Sequence, residues 1–108
     1  MDQYDYELNI LVDPKPGKTY ADTLFCLCKD YIMKNSGKPG KSSCVGCTQL
    51  SVPVKGFTEA YIIFIKFKAP PATANKLYNM LNAEGSIITF GIRTNSYGYQ
   101  YHSRQAEQ

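Results

Sequence analysis

The stretch from Leu50 to Pro70, LSVPVKGFTEAYIIFIKFKAP, carries the strongest pattern in the chain. A strand with Pro53 near its end leads through a short polar connection into a second strand. That second strand is apolar on both faces from Tyr61 to Ile65 and stops at Pro70-Pro71. Such a strand is unsuited to an open edge in water and belongs mid-sheet, packed on both faces. Two-sided burial in a small chain predicts a platform for something else, a binding module before an enzyme.

The flanking segments fill in the architecture. Residues 4–12 alternate, with Tyr6, Leu8, Ile10 and Val12 on one face and Glu7 and Asn9 on the other, so a half-buried strand is expected. Asp13-Pro14-Lys15-Pro16-Gly17 ends it. Thr19 is the expected N-cap of a first helix, with Asp22 as its capping-box partner. Ala21, Leu24, Phe25, Cys28 and Ile32 make its inner face, Lys29, Asp30 and Lys34 point outward, and Ser36-Gly37 stops it. Residues 36–43, SGKPGKSS, read as a flexible basic loop. Strands are expected over 44–54 and 60–68. Pro70-Pro71 opens a second helix with Ala74, Leu77, Tyr78 and Leu81 inward, ended by Glu84-Gly85. A fourth strand runs from Ile87 to Arg93.

This order, β-α-β-β-α-β, predicts an α+β, ferredoxin-like fold. Its four-stranded antiparallel sheet has order 4-1-3-2 with both helices on one face. Residues 1–94 form the domain and 95–108 a tyrosine-rich tail. The helix-free face needs another cover, and Ile63, Ile65 and Phe67 are assigned to that partner face.

Composition narrows the classes. At 108 residues with 44% apolar content the chain is one domain with a real core. Net charge +3 is compatible with nucleic acid without demanding it. Nine tyrosines and no tryptophan suit wet interfaces. No window approaches the roughly 18 apolar residues a membrane span needs, so no membrane partner is expected. The start, MDQYDYELN, is neither a signal nor a transit peptide, so any organellar address is not a standard presequence.

Candidate chemistry is sparse. The spacings Cys26-x-Cys28 and Cys44-x-x-Cys47 invite a metal reading. On a helix the first two sit about 200° apart, and on a strand the second two point to opposite faces. No metal or other cofactor is expected; a site sharing one or two cysteines with a neighbouring chain stays open. Gly40-Lys41-Ser42 matches the end of a P-loop, but Asn35 stands at the leading glycine and a helix precedes it. Lys38 and Lys41 are read instead as phosphate-backbone contacts, as is Lys55. Lys55-Gly56-Phe57 begins like the RNP1 motif of an RNA-recognition module, but Thr58 and Glu59 interrupt the aromatic pattern. Lys66 and Lys68 read as solvated strand ends. In the tail, Tyr97, Tyr99 and Tyr101 alternate and are expected to order on a partner, as an added strand or stacked on bases. Catalysis has no support: the only histidine is His102, in the tail.

The set of elements resembles the small-subunit ribosomal protein S6 family of bacteria and organelles. The resemblance rests on Tyr6-Glu7-Leu8-Asn9-Ile10-Leu11-Val12-Asp13-Pro14, on Leu50-Ser51-Val52-Pro53-Val54, and on the run from Ala60-Tyr61 to Pro70. It covers roughly residues 4–94. It implies a non-enzymatic structural constituent of the ribosome that binds small-subunit rRNA beside ribosomal protein S18, not a homo-oligomer. Lys15, Lys38, Lys41, Lys55 and Arg93 become the candidate RNA contacts. Several positions where the family carries basic residues hold Asp5, Thr48, Gln49, Ile88 and Thr89 here. Fewer phosphate contacts and more protein contacts fit a mitochondrial ribosome, with bacterial cytoplasm or a plastid as alternatives. A stand-alone RNA-binding protein of the RNA-recognition type is the alternative function.

Overall fold

A computed structural model describes residues 3–94, and the backbone alone of 100–102. Strand β1 (Tyr4–Val12) is followed by helix α1 (Lys18–Lys34), β2 (Lys38–Val54), β3 (Phe57–Ala69), α2 (Pro71–Asn82), β4 (Ile87–Thr94) and a short β5 (Gln100–His102). The strands form one sheet in the order β2-β3-β1-β4-β5, every described pairing antiparallel. The first four strands carry the expected order, and both helices lie on one face, a ferredoxin-like arrangement.

The core lies between that face and the helices. Tyr6, Leu8, Ile10 and Val12 of β1 face it, opposite Phe67, Ile65, Ile63 and Tyr61 of β3 in register. Phe90 and Ile92 of β4 extend the same rows. Leu24, Cys28 and Ile32 of α1 and Ala74, Leu77 and Leu81 of α2 close over them. Each fully buried aliphatic side chain contributes roughly 1.5–3 kcal/mol. Tyr6 stacks on Phe67 with centroids 5.3 Å apart.

Several boundaries differ from expectation, each for a local reason. Helix α1 is preceded by Gly17 at φ 96, and no side chain caps it, so Thr19 lies inside the helix. The turn after Pro16 needs a left-handed residue, which glycine supplies. Segment 36–43 is not a loop: β2 begins at Lys38, because Lys38 and Pro39 already pair with Lys68 and Phe67. Proline is tolerated there because β2 is the sheet edge. Val54 pairs with Phe57 across a two-residue turn, with Lys55 at φ 51 and Gly56 at φ 85. Both residues thus take the positive φ that suits strand twist in a tight hairpin.

Asn35 joins the helices. Its Nδ2 donates to Tyr31 O at 2.8 Å, and its carbonyl accepts from Thr73 Oγ1 in the first turn of α2. The Gly37 amide donates to Ile32 O at 2.8 Å, which turns the chain toward β2.

Candidate docking face

Residues paired across strands share a face, so the register also defines the side away from the helices. One row there is Val45–Ile62–Leu11–Thr89, and the next is Ser43–Phe64–Asn9–Gly91. Ile62, Phe64 and Leu11 are half-buried and Val45 is exposed, although no described helix covers them. The following rows change character. Lys66, Glu7 and Arg93 stand side by side, and beyond them Lys38, Lys68 and Asp5. The open face is therefore apolar over one half and charged over the other.

The charged half is organised around Glu7, whose side chain is only 14% exposed. Arg93 donates from Nε at 3.0 Å and Nη2 at 2.8 Å to the same oxygen, Glu7 Oε1. Lys66 reaches Glu7 Oε2 at 3.9 Å, and Lys68 reaches Asp5 Oδ1 at 3.8 Å.

This geometry corrects one assignment. Ile63, Ile65 and Phe67 are not on the partner face; they are 0–3% exposed beneath the helices. The register with β1 decides it, because Ile10, Leu8 and Tyr6 lie opposite them. Their alternates Ile62 and Phe64 occupy the open side. A sign of this stood in the sequence, since Lys66 and Lys68 share their parity and a charged pair belongs in water.

The five candidate RNA contacts do not converge. Lys15 lies after β1, where its amide donates to Asp13 Oδ1 at 2.9 Å, and Lys55 lies in the β2–β3 turn near that same end. Lys38, Lys41 and Arg93 lie toward the other end of the sheet, in rows about 17–24 Å from Val12 along β1. Lys55 Nζ donates to Ile88 O at 2.8 Å and ties the hairpin to β4. Arg93 is committed to Glu7. Lys15, Lys38 and Lys41 are exposed. The RNP1-like Lys55-Gly56 is a hairpin turn rather than strand, and Tyr61 lies on the helix side, opposite Val12.

Tyr97 and Tyr99 lie outside the described residues. Tyr101 belongs to β5, whose backbone pairs with Ile92 of this chain's own β4, so that strand is added here to its own sheet and not to a partner's.

The cysteines occupy separate environments. Cys28 is in the core, where burial pushes its thiol up to about 12. Cys44 Sγ donates to Asp22 Oδ1 at 3.8 Å, and burial, then Asp22, raises its pKa. Cys47 Sγ donates to Glu59 Oε1 at 3.0 Å, a contact that raises its pKa. Cys26 is exposed on α1. Among the described residues no three His, Cys, Asp or Glu side chains gather as a metal site. No described helix is long and apolar enough to cross a membrane.

One antiparallel sheet with two helices on one face, and no described element over the other, defines an α+β, ferredoxin-like domain. The comparisons give it a family. The sequence profile of ribosomal protein S6 matches residues 5–93. The small ribosomal subunit protein bS6 of Bifidobacterium longum (strain NCC 2705) is 27% identical over 88 residues, covering 82% of this chain and 91% of that protein. The crystal structure of 30S ribosomal protein S6 from Thermotoga maritima superposes with a TM-score of 0.80 at 20% identity, covering 89% of this chain and 91% of that one. The chain belongs to the ribosomal protein S6 family. It is a structural, non-enzymatic component of the small ribosomal subunit.

Proposed function

We propose that this chain holds its place in the small subunit by contacting rRNA and ribosomal protein S18, and that the ribosome is mitochondrial. The apolar half of the open face carries this reading. Val45 is 47% exposed beside half-buried Ile62, Phe64 and Leu11, a patch suited to removal from water by a protein neighbour. The exposed Lys15, Lys38 and Lys41 supply phosphate contacts. Asp5, Thr48, Gln49, Ile88 and Thr89 stand where the family carries cations, which moves weight from RNA to protein contacts and supports the mitochondrial placement.

Sedimentation of the tagged chain tests it. The chain is expected to travel with the small subunit through a sucrose gradient at moderate salt, in the mitochondrial fraction, and to cross-link to S18. Ile62→Asp should release it while leaving the isolated fold intact. A wild-type chain that stays at the top of the gradient ends the reading; a cytoplasmic or plastid small-subunit peak ends only the mitochondrial part.

A further inference from the structure

The charged half of the open face holds four cations, Lys38, Lys66, Lys68 and Arg93, against two carboxylates, Asp5 and Glu7. Net +2 is thus concentrated in two cross-strand rows of a chain whose total is +3. The balance within it is uneven. Glu7 accepts two hydrogen bonds from Arg93 and is largely covered, so these two charges neutralise each other. Lys66 and Lys68 are more than half exposed, and their carboxylates stand 3.9 and 3.8 Å away. Contacts that long and that wet contribute little. Lys38 lies directly opposite Lys68 in the register. Like charges placed so cost stability, and the carboxylate the described residues set against this pair is Asp5, 3.8 Å from Lys68 and itself well exposed.

We propose that Lys38, Lys66 and Lys68 form a phosphate-backbone contact, the place where rRNA crosses the open face beside the protein-binding apolar half. The inference rests on the ribosomal placement above. The three ammonium groups sit on adjacent strands. Lys66 and Lys68 are two residues apart, about 7 Å along β3, so they form a fixed row on a rigid sheet rather than a mobile tail. A protein neighbour rich in acid would satisfy the same charge. The ribosome's most abundant anion is RNA phosphate, and the polyelectrolyte gain from releasing its counterions favours RNA.

The test uses intact small subunits containing the chain. After ultraviolet irradiation, the peptide bearing Lys66 and Lys68 is expected to carry a nucleotide, and both amines should resist acylation that modifies them in the isolated chain. In a potassium chloride series, the K66A/K68A double variant should show a shallower log–log dependence of retention on salt, by about 1.4–1.8. Lys29→Ala, which removes a cation held 4.8 Å above the Phe25 ring on α1, should leave the slope unchanged. Full acylation of Lys66 and Lys68 in assembled subunits, or cross-links from them to protein alone, overturns the inference and leaves the ribosomal placement standing. A chain that never enters the subunit overturns both.

Discussion

The two faces of this sheet are built from the same strands by alternate residues, and they behave as different materials. On the helix side, Leu8, Ile10, Ile63, Ile65 and Ile92 are fully buried. One residue along, Glu7, Asn9, Ile62, Phe64 and Arg93 meet solvent in part or in full. The covered face is complete without any partner. Among the described residues, the open face holds an apolar patch and a charge cluster with more cations than carboxylates. Stability and function are thus separated by a parity rule, and substitutions one residue apart should report on different properties.

The largest effect should come from Ile65→Ala against Ile62→Ala. Ile65 is fully buried and faces Leu8 across the strand pair, so truncation leaves a cavity and should cost about 2–5 kcal/mol. Ile62→Ala should cost about 1 kcal/mol or less in the isolated chain, yet weaken retention in the subunit more. Urea titration with subunit sedimentation measures both, and equal losses in both assays would erase the distinction between the faces.

Gly37 tests how tightly the covered face is closed. A Cβ there would stand 2.5 Å from Ile32 Cγ2, 2.9 Å from Ile32 O and 3.2 Å from Ala69 Cβ. Two of these atoms belong to fully buried side chains and one to the backbone that ends α1. Gly37→Ala should therefore destabilise by about 1–3 kcal/mol through overpacking, read as a lower urea midpoint at unchanged slope. A neutral result would mean that this corner yields easily.

Much of this division was legible in the sequence, and the failures share a cause. The alternation in β1 identified its inner face at once, because Glu7 and Asn9 break the apolar run. In β3 both parities are apolar from Tyr61 to Ile65, so periodicity alone was silent on which side meets the helices. The answer lay further on, in the parity of Lys66 and Lys68, and in the pairing with β1. The opening of β2 was misread because SGKPGKSS has loop composition, whereas pairing with β3 makes Lys38 and Pro39 strand: a tertiary partner overrides a weak local preference. The Glu7–Arg93 pair joins residues 86 positions apart, and nothing local announces it.

Cys28 supplies a subtler probe of the closed side. Burial holds its thiol protonated to about 12, against an ordinary 9.0. Below pH 9 the group is neutral in both folded and unfolded chains and stability does not depend on it. Above pH 9 the unfolded chain loses the proton first, so stability should fall between pH 9 and 12 by on the order of 1 kcal/mol per pH unit. Tyr20, raised to about 12 first by burial and then by its hydrogen bond to Glu84, adds in the same direction above pH 10. Cys28→Ala should be less stable throughout but show a flatter alkaline limb, with the parts of Tyr20, Cys44 and Cys47 remaining. An unchanged limb would mean the thiol reaches water, and that this part of the core is less sealed than its neighbours.

The smallest effect on stability should carry the most information about the open face. Glu7→Gln keeps an acceptor for Arg93 but removes the charge that draws Arg93 and Lys66 inward. The isolated chain should lose less than about 1 kcal/mol at low salt, and the difference should shrink as salt screens the pair. The same change raises the cluster from net +2 to +3 and loosens Arg93, so retention on rRNA should persist to higher salt than in the wild type. Opposite signs in the two measurements distinguish a face that gives up some stability to present positive charge from one whose charges merely hold the strands together. If Glu7→Gln lowered stability and retention alike, the carboxylate would be a structural pin, and the lysines beside it would be strand-end solubilisers rather than a grip on phosphate.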